Sequence, residues 1–323
     1  MKPIAILGEG AWGTAVATVL ANNGYTVNLW CHDPEVAQTI KKSSFNKKYM
    51  PDVKLPQTII PMERIEEVIA DVEWVFEAIP VKYLRSVLEQ AKPFVTSNQI
   101  WVVLSKGIEQ ETLLLPMQLF DDVFEISVDK AVCLGPSFAH GVVCKEVTAV
   151  VVAASDKKVC SRLKNILANE YFRPYESSDM IGVQVGAALK NVIALGIGIL
   201  EGAGYGENTK AFVLTKGLHD MVTCAQAVGG EKETIYGLAG VGDLVLTCTG
   251  GFSRNVMVGK YFGQGQSIEE IIAKTGVIPE GVNTVKSIYQ LAQKHGLRLP
   301  VCEGIYDMIF GEKPVNTFLA DLP

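Results

Sequence analysis

The sequence is short of the residues that build metal centres and disulfide frameworks. Its 323 residues include four histidines and seven cysteines, with no C-x-x-C pair and no H-E-x-x-H spacing. An odd number of scattered cysteines argues against a disulfide framework and favours a reducing cytoplasm. We therefore expect no metal site.

Positive charge and membrane-directed segments are also scarce. The formal net charge of −6 gives no basic field for nucleic acid or anionic lipid. The N-terminal apolar run, residues 4–7, is too short for a signal-peptide core. The one long apolar stretch, residues 180–200, contains Lys190, which is costly in lipid. This pattern predicts a helix buried in a soluble protein, without membrane insertion.

Two kinds of pattern divide the chain. The first half alternates helical stretches with short apolar strands, at residues 4–7, 26–30, 74–79, 100–104, 132–134 and 148–153. After about Asp179 the pattern is of helices joined by glycine-rich loops. We expect an α/β domain over residues 1–180, with a doubly wound, mainly parallel sheet. An all-helical domain should follow over residues 181–323.

A dinucleotide fingerprint opens the chain. The G-x-G-x-x-G motif runs from Gly8 through Gly10 to Gly13, after a predicted strand and at the start of a predicted helix. Gly8 permits the tight turn, Gly10 lets the backbone approach a pyrophosphate, and Gly13 lets helix and strand pack closely. The helix start then offers N–H groups to the phosphates. This context predicts a Rossmann-type fold that binds a nicotinamide dinucleotide.

The end of the second strand bears on the choice of cofactor. NAD-specific folds usually place Asp or Glu there to hold the ribose 2′-hydroxyl. In this chain Trp30 and Cys31 occupy the position, and Asp33, before Pro34, is predicted to cap the next helix. His32 could meet a 2′-phosphate. The strand end therefore favours NADPH, with NADH tolerated.

Two other strand ends carry candidate ligand-binding residues, because ligands of open α/β sheets bind beyond the carboxyl ends of strands. Lys106 follows one strand and offers a cation to a substrate oxygen or phosphate. Gly135 and Ser137 follow another and offer a close backbone and a hydroxyl. The alternatives are a surface lysine and a plain turn.

Lys190 is the sharpest signal, since it lies in an otherwise apolar helix. A buried lysine must be paired, neutral or functional. Small neighbours at Gly186, Ala187 and Ala194 suggest space over its face for a ligand, although such residues usually serve close helix packing. A lowered pKa would suit a general acid and base.

Two polar clusters lie in the second half. Ser253 is a predicted N-cap, and Arg254 and Asn255 begin the helix, which is a natural phosphate site. Asp243 lies in a glycine-rich loop, where it could orient the lysine, bind a hydroxyl or simply form a turn.

Together these motifs resemble the bacterial type of NAD(P)-dependent glycerol-3-phosphate dehydrogenase. The resemblance extends over nearly the whole chain and rests on six segments in the family's order: Gly8–Thr14, Ser105–Gly107, Gly135–Ala139, Lys190–Asn191, Gly240–Leu244 and Ser253–Asn255.

The resemblance implies a role for each matching residue. Lys190 would be the proton acceptor in glycerol 3-phosphate oxidation. The residues lining the substrate site would be Lys106, Gly135, Ser137, Asp243, Ser253, Arg254 and Asn255. Besides the three glycines, NAD(H) or NADP(H) would contact Ala11, Trp12, His32, Lys106, Ala139, Arg254, Ile278 and Glu280. The family often has serine in place of Ala11, so that hydroxyl contact would be lost.

The resemblance also implies an activity and a setting. The chain would interconvert dihydroxyacetone phosphate and glycerol 3-phosphate in the cytoplasm and supply glycerophospholipid synthesis. The expected partner is a small phosphorylated molecule, with no nucleic acid. A homodimer is compatible with the sequence.

Two other functions fit parts of the pattern. A 2- or 3-hydroxy-acid dehydrogenase would need a cationic site for a carboxylate beside the reacting carbon. A non-catalytic dinucleotide sensor would leave Lys106, Lys190 and Asp243 without a shared purpose.

Overall fold

The computed structural model describes residues 2–276, 280–311 and 313–322 and divides into two units. Unit 1 consists of Met1–Ser105 and Pro116–Met180, and unit 2 of Lys106–Leu115 and Ile181–Pro323. The segment 106–115 therefore groups with the helical unit, whereas the sequence analysis placed it in the first domain. Two hydrogen bonds to α14 (Glu280–His295) hold it there: Ser287 Oγ donates to the Ile108 carbonyl at 3.0 Å, and the Gln110 side chain donates to the Asn283 carbonyl at 3.4 Å.

An eight-stranded sheet forms the centre of unit 1. In spatial order its strands are β10 (Phe172–Ser177), β9 (Thr148–Ala154), β8 (Asp129–Leu134), β7 (Ile100–Val103), β6 (Trp74–Glu77), β1 (Ile4–Leu7), β2 (Val27–Trp30) and β5 (Ile59–Met62). All pairs are parallel except β8 with β9. Unit 1 also contains helices α1 (Ala11–Asn22), α2 (Pro34–Ser43), α3 (Ile65–Val68), α4 (Val81–Ala91), α5 (Pro116–Val123), α6 (Ala139–Val143) and α7 (Lys157–Leu167), with a short 3₁₀ helix at Lys92–Phe94.

The central strands are mostly apolar, with Asn28 and Glu77 as exceptions, because both faces of a parallel sheet are covered. Every residue of β1, β2, β6 and β7 is buried. The register pairs Ile4 with Val27 on one side and Ala5 with Val75 on the other. The six strands predicted from the sequence are all present, and the predicted fold class is confirmed.

Four strands were not predicted. Residues 41–56 are rich in proline and lysine and are therefore expected to form a loop-rich connection. They contain instead a small antiparallel hairpin, β3 (Phe45–Asn46) and β4 (Met50–Lys54), and β5 follows it. The strands β5 and β10 lie at the two edges of the large sheet and alternate between buried and exposed residues. Each contains a proline, Pro61 or Pro174, which is tolerated at an edge and hides the strand in the sequence.

Unit 2 is helical. After α8 (Met180–Gly202) come α9 (Glu207–Ala227), α10 (Lys232–Tyr236), a π-helical turn (Leu238–Gly242), α11 (Asp243–Thr249), α12 (Arg254–Gly263), α13 (Ile268–Thr275), α14, α15 (Pro300–Phe310) and α16 (Val315–Asp321). The helix α8 is long and apolar enough to cross a membrane, yet its most apolar stretch is entirely buried in the protein. This agrees with the expectation of a core helix.

Within the described residues of unit 1, the carboxyl group of Glu77, at the end of β6, has no ion-pair partner. Its side chain is fully buried. One oxygen accepts from the Ser105 hydroxyl at 2.6 Å and from the Ser105 amide at 3.3 Å, and the other accepts from the Ile79 amide at 3.2 Å. These bonds tie β6 to the residue that follows the neighbouring strand. Burial raises the pKa of Glu77 to about 8, although the hydrogen bonds oppose the shift.

This raised pKa predicts that Glu77 destabilises the protein as the pH increases. Between the ordinary pKa of 4.5 and about 8, the folded state holds a proton that the unfolded state has lost. Stability from this group therefore falls as the pH rises through that window. The side chain in Glu77→Gln cannot titrate. As the pH rises from about 5 to about 8.5, the free energy of unfolding of this variant should therefore increase relative to that of the native protein.

Urea unfolding followed by tryptophan fluorescence measures this, since all four tryptophans lie in unit 1. The control is Glu73→Gln, whose carboxylate is exposed and paired with Arg162. Its stability curve should run parallel to that of the native protein. If the Glu77→Gln curve is also parallel, the carboxyl group is not held neutral.

Candidate active site

A buried charge cluster connects three residues of unit 2 that are far apart in sequence. Lys190 Nζ, from the middle of α8, donates to Asp243 Oδ1 at 2.5 Å and to Thr247 Oγ1 at 2.8 Å. Lys106 Nζ donates to the other oxygen of Asp243 at 2.9 Å. Lys190 and Asp243 are 5% and 1% exposed. The structure thus brings together three of the predicted site residues and adds Thr247, which the sequence analysis missed.

The helical turn that precedes Asp243 sets its position. Asp243 is the first residue of α11, directly after the π-helical turn, a feature often found at functional sites. Thr247 lies one turn later on the same helix, so both side chains face Lys190. The turn packs closely on α8: a Cβ at Gly186 would collide with the Ala239 carbonyl oxygen. The prediction of open space over the Lys190 face is therefore wrong at Gly186, because this glycine packs closely against the π-helical turn.

The cluster lowers the proton affinity of Lys190. Burial is the largest cause, Lys106 adds to the effect, and the Asp243 carboxylate opposes it; the pKa of Lys190 falls from 10.5 to about 7. An amine with this pKa exchanges a proton near neutral pH, as a general acid and base requires. An ammonium group has three donors, and Asp243 and Thr247 accept from two of those on Lys190.

The predicted phosphate-binding cluster lies at the start of α12. The Ser253 hydroxyl accepts from the Val256 amide at 3.3 Å, which confirms the predicted N-cap. Arg254 is exposed and, within the described residues, has no hydrogen-bond or ion-pair partner. Its guanidinium is therefore available to a ligand. By contrast, Asn255 is buried and already bonded inside unit 2.

Asn255 connects two helices. Its amide nitrogen donates to Asn191 Oδ1 on α8 at 3.0 Å, and its oxygen accepts from the Gly281 amide on α14 at 3.0 Å. These bonds hold its side chain in place and assign it a structural role in addition to the predicted substrate contact. Glu280, a predicted cofactor contact, is the first residue of α14. Ile278, another predicted contact, lies outside the described residues.

In unit 1 the fingerprint adopts the expected strand–turn–helix form. Gly8 follows β1 with φ = +118°, a conformation that favours glycine. A Cβ at Gly13 would collide with the Gly8 carbonyl oxygen, so the close packing requires glycine there. Beside Gly10 a Cβ would meet nothing within 4 Å, which leaves the backbone open to a ligand. The helix α1 then begins without a side-chain cap and without an acidic residue in its first turn.

These features fit a bound dinucleotide. Uncapped N–H groups at a helix start attract phosphate. The Trp12 indole nitrogen is buried and has no hydrogen-bond partner in the part of the chain that the structure describes, so its N–H can donate to a ligand. A cavity of about 140 Å³ adjoins Ala11 and Ala139, both predicted cofactor contacts; the other lining residues are Tyr49, Met50, Pro51, Asp52, Val53 and His140.

The other predicted residues of unit 1 also follow strands. Gly135 comes directly after β8, and the Ser137 hydroxyl donates to the Gly135 carbonyl at 3.1 Å. His32 is exposed after β2, next to Asp33, which caps α2 as predicted by accepting from the Glu35 amide. The premise that no carboxylate lies at this strand end is wrong, however. The carboxylate of Glu9 lies there and accepts from the amides of His32 and Asp33.

Comparison with known families agrees with this geometry. Residues 3–160 match the N-terminal model, and residues 179–320 the C-terminal model, of NAD-dependent glycerol-3-phosphate dehydrogenase. The chain belongs to this family. It is therefore an oxidoreductase that uses a nicotinamide dinucleotide, as the sequence predicted.

Individual relatives cover the chain from end to end. It is 40% identical to the glycerol-3-phosphate dehydrogenase [NAD(P)+] of Bacillus licheniformis, over 100% of this chain and 94% of the relative. The corresponding enzyme of Bacillus velezensis is 39% identical with the same coverage. The crystal structure of glycerol-3-phosphate dehydrogenase from Coxiella burnetii has a TM-score of 0.94 at 31% identity and covers 99% of this chain and 98% of that one.

Hydroxy-acid dehydrogenases share the fold alone. A D-mandelate dehydrogenase structure has a TM-score of 0.63 at 16% identity and covers 96% of this chain and 98% of that one. This likeness explains why the sequence pattern also allowed a hydroxy-acid dehydrogenase, and it gives that alternative no further support.

Proposed function

We propose that this chain reduces dihydroxyacetone phosphate to sn-glycerol 3-phosphate with a reduced nicotinamide dinucleotide, and catalyses the reverse oxidation. The supporting observation is the Lys190 amine, buried against Asp243 with a pKa of about 7. The bound dinucleotide supplies the hydride for reduction and accepts it in oxidation. The remaining tasks are proton transfer, charge stabilisation and binding of the phosphate, and residues of the chain perform these.

Lys190 transfers the proton. In reduction its ammonium donates a proton to the carbonyl oxygen of the substrate as that oxygen becomes an alkoxide. In oxidation the neutral amine takes the hydroxyl proton back. Asp243 and Thr247 position the amine. Lys106, fixed on the same carboxylate, adds positive charge beside the developing alkoxide, which stabilises the transition state.

Arg254 and the start of α12 bind the phosphate. A guanidinium presents paired donors that match phosphate oxygens, and the helix dipole adds favourable charge. Gly135, Ser137, Ser253 and Asn255 complete the proposed substrate-binding set. We also propose that the protein acts in the cytoplasm, supplies glycerol 3-phosphate for glycerophospholipid synthesis and assembles as a homodimer.

A steady-state assay tests the reaction itself. We expect NAD(P)H oxidation with dihydroxyacetone phosphate. With unphosphorylated dihydroxyacetone, kcat/KM should be at least hundredfold lower, since the phosphate forms several charge-assisted hydrogen bonds, each worth about 1.5–3 kcal/mol. The 2- and 3-oxo acids should be inactive. Preferred turnover of an oxo acid would instead identify a hydroxy-acid dehydrogenase, and no turnover of any substrate would favour a dinucleotide sensor.

Removal of the Lys190 amine should abolish most of the chemistry. We expect Lys190→Met to lower kcat by on the order of a hundredfold or more, the loss typical of a positioned acid and base. Cofactor affinity, measured by calorimetry, should change little. The control is Lys210→Met in the same unit, which removes a lysine paired with Glu207 and should keep normal turnover.

The pH dependence of the native enzyme provides a second check on Lys190. Because reduction needs the ammonium form, its kcat/KM should fall as the pH rises above about 7. Oxidation needs the neutral amine and should fall as the pH drops below about 7. Both of these pH dependences should disappear in Lys190→Met. Near-normal turnover of this variant, or unchanged pH dependences, would contradict the assignment.

Replacement of Arg254 should weaken phosphate binding. We expect Arg254→Ala to raise the KM for dihydroxyacetone phosphate at least tenfold, since a charge-assisted contact is worth about 1.5–3 kcal/mol. Lysine should rescue poorly, because it lacks the planar guanidinium. The control Lys260→Ala removes a cation of the same helix that is paired with Glu201, and should leave the KM unchanged. An unaltered KM in Arg254→Ala would rule out this contact.

A further inference from the structure

The carboxylate of Glu9 is placed where dinucleotide folds distinguish their two cofactors. In these folds the residue after the second strand holds the ribose 2′-hydroxyl or accommodates the 2′-phosphate. Here β2 ends at Trp30, and the two amides that follow shortly after are both bonded to Glu9. Glu9 Oε2 accepts from the His32 amide at 3.1 Å, and Glu9 Oε1 accepts from the Asp33 amide at 3.2 Å. The acid comes from the fingerprint turn instead of the strand end.

Hydrogen bonds hold both the side chain and the backbone of Glu9 in place. Its side chain is 7% exposed and held by the two amides. Its backbone carbonyl accepts from Asn46 Nδ2 at 2.7 Å and from Thr14 Oγ1 at 3.0 Å. Asn46 is fully buried and also donates to Thr14 Oγ1 at 2.9 Å. The carboxylate therefore cannot swing away from the strand end without losing two hydrogen bonds.

The charges near this strand end do not favour a second phosphate. Asp33 caps α2 and forms an ion pair with Lys48 at 2.8 Å, so that lysine is already neutralised. Lys41 is likewise paired, with Glu63. Glu9 has no cation bonded to its carboxylate in the described part of the chain. A 2′-phosphate at this strand end would meet the negative charge of the Glu9 carboxylate, with the exposed ring of His32 beside it as a donor.

A ribose hydroxyl suits the same carboxylate. A carboxylate has about four acceptor positions, and the two amides use one on each oxygen. The remaining positions can accept from the 2′- and 3′-hydroxyl groups. We propose that Glu9 determines cofactor specificity, accepting hydrogen bonds from the adenosine ribose and repelling a 2′-phosphate, so that the enzyme prefers NADH to NADPH. This reverses the expectation from the sequence, which considered only the residues of the strand end itself.

The first test uses the native enzyme. We expect calorimetric titration of the ligand-free protein to give an affinity for NADH at least tenfold higher than for NADPH. The difference should shrink as salt is added, because ionic strength screens the repulsion. The kcat/KM values for the two cofactors at saturating dihydroxyacetone phosphate should show the same preference. Equal affinity, or a preference for NADPH, overturns the proposal. The titration requires no turnover, so its outcome is independent of the proposed substrate.

The second test removes the charge. Glu9→Gln keeps the size of the side chain and one acceptor oxygen, and should reduce the preference for NADH at least tenfold, mainly by strengthening NADPH binding. Glu35→Gln is the matched control, since it removes one exposed carboxylate two residues beyond Asp33 and should leave the preference unchanged. Circular dichroism verifies the fold of each variant.

The results for the two variants decide whether Glu9 determines the cofactor preference. A native preference for NADH that survives in Glu9→Gln overturns the role of Glu9, as does an equal shift in Glu35→Gln. If Glu9→Gln fails to fold, Glu9→Ala with adenosine 2′,5′-bisphosphate and 5′-AMP as competing ligands replaces it. Loss of the native discrimination between these two ligands supports the proposal, and unchanged discrimination overturns it.

Discussion

The buried amine of Lys190 is the constraint that organises the C-terminal unit. The helix α8 that carries it is mostly apolar, and its most apolar stretch is entirely buried in the core of unit 2. A lone ammonium there would be too costly, since a buried charge must be paired or neutral. The structure meets this demand with Asp243 and Thr247, presented one turn apart at the start of α11. The π-helical turn and the close contact at Gly186 follow from the need to bring α11 this near to α8.

The same arrangement that stabilises the amine also sets its proton affinity. Burial lowers the pKa of Lys190, and the Asp243 carboxylate limits the fall, which leaves the group near its titration point at neutral pH. The second oxygen of Asp243 holds Lys106. One carboxylate therefore orients two cations, to which the proposed mechanism gives proton transfer and charge stabilisation.

Two buried carboxyl groups of the N-terminal unit, those of Glu9 and Glu77, follow a different rule, since backbone amides donate to them. Glu77 accepts from Ile79 and Ser105 where two central strands end, and Glu9 accepts from His32 and Asp33 after β2. Neighbouring parallel strands end at one edge of the sheet, where loop amides are exposed and ligands of such folds bind. A carboxyl group at this edge can be held by the backbone and still affect a ligand through its charge.

The sequence predicted the elements whose residues form regular patterns. The buried central strands, the fingerprint turn and the caps at Asp33 and Ser253 all carry local signals, since each depends on residues close together in the chain. The edge strand β10 lacks such a signal. Its buried and exposed residues alternate, it includes Pro174, and it is recognisable as a strand only through its pairing with β9.

Within the candidate site, the sequence by itself marked Lys190, because a charge inside an apolar helix is visible without a structure. It also marked Lys106, Asp243 and Arg254 as candidates, but it could not say which of them meet. Asp243 lies 53 residues from Lys190, and Glu9 lies 23 residues from His32. Those pairings, the lowered pKa and the carboxylate at the end of β2 were decided by the tertiary structure alone. The physical reason is that almost any residue can supply a backbone amide, so the partners of the Glu9 carboxylate leave no mark in the sequence. Burial, which lowers the pKa of Lys190, is likewise a property of the folded chain.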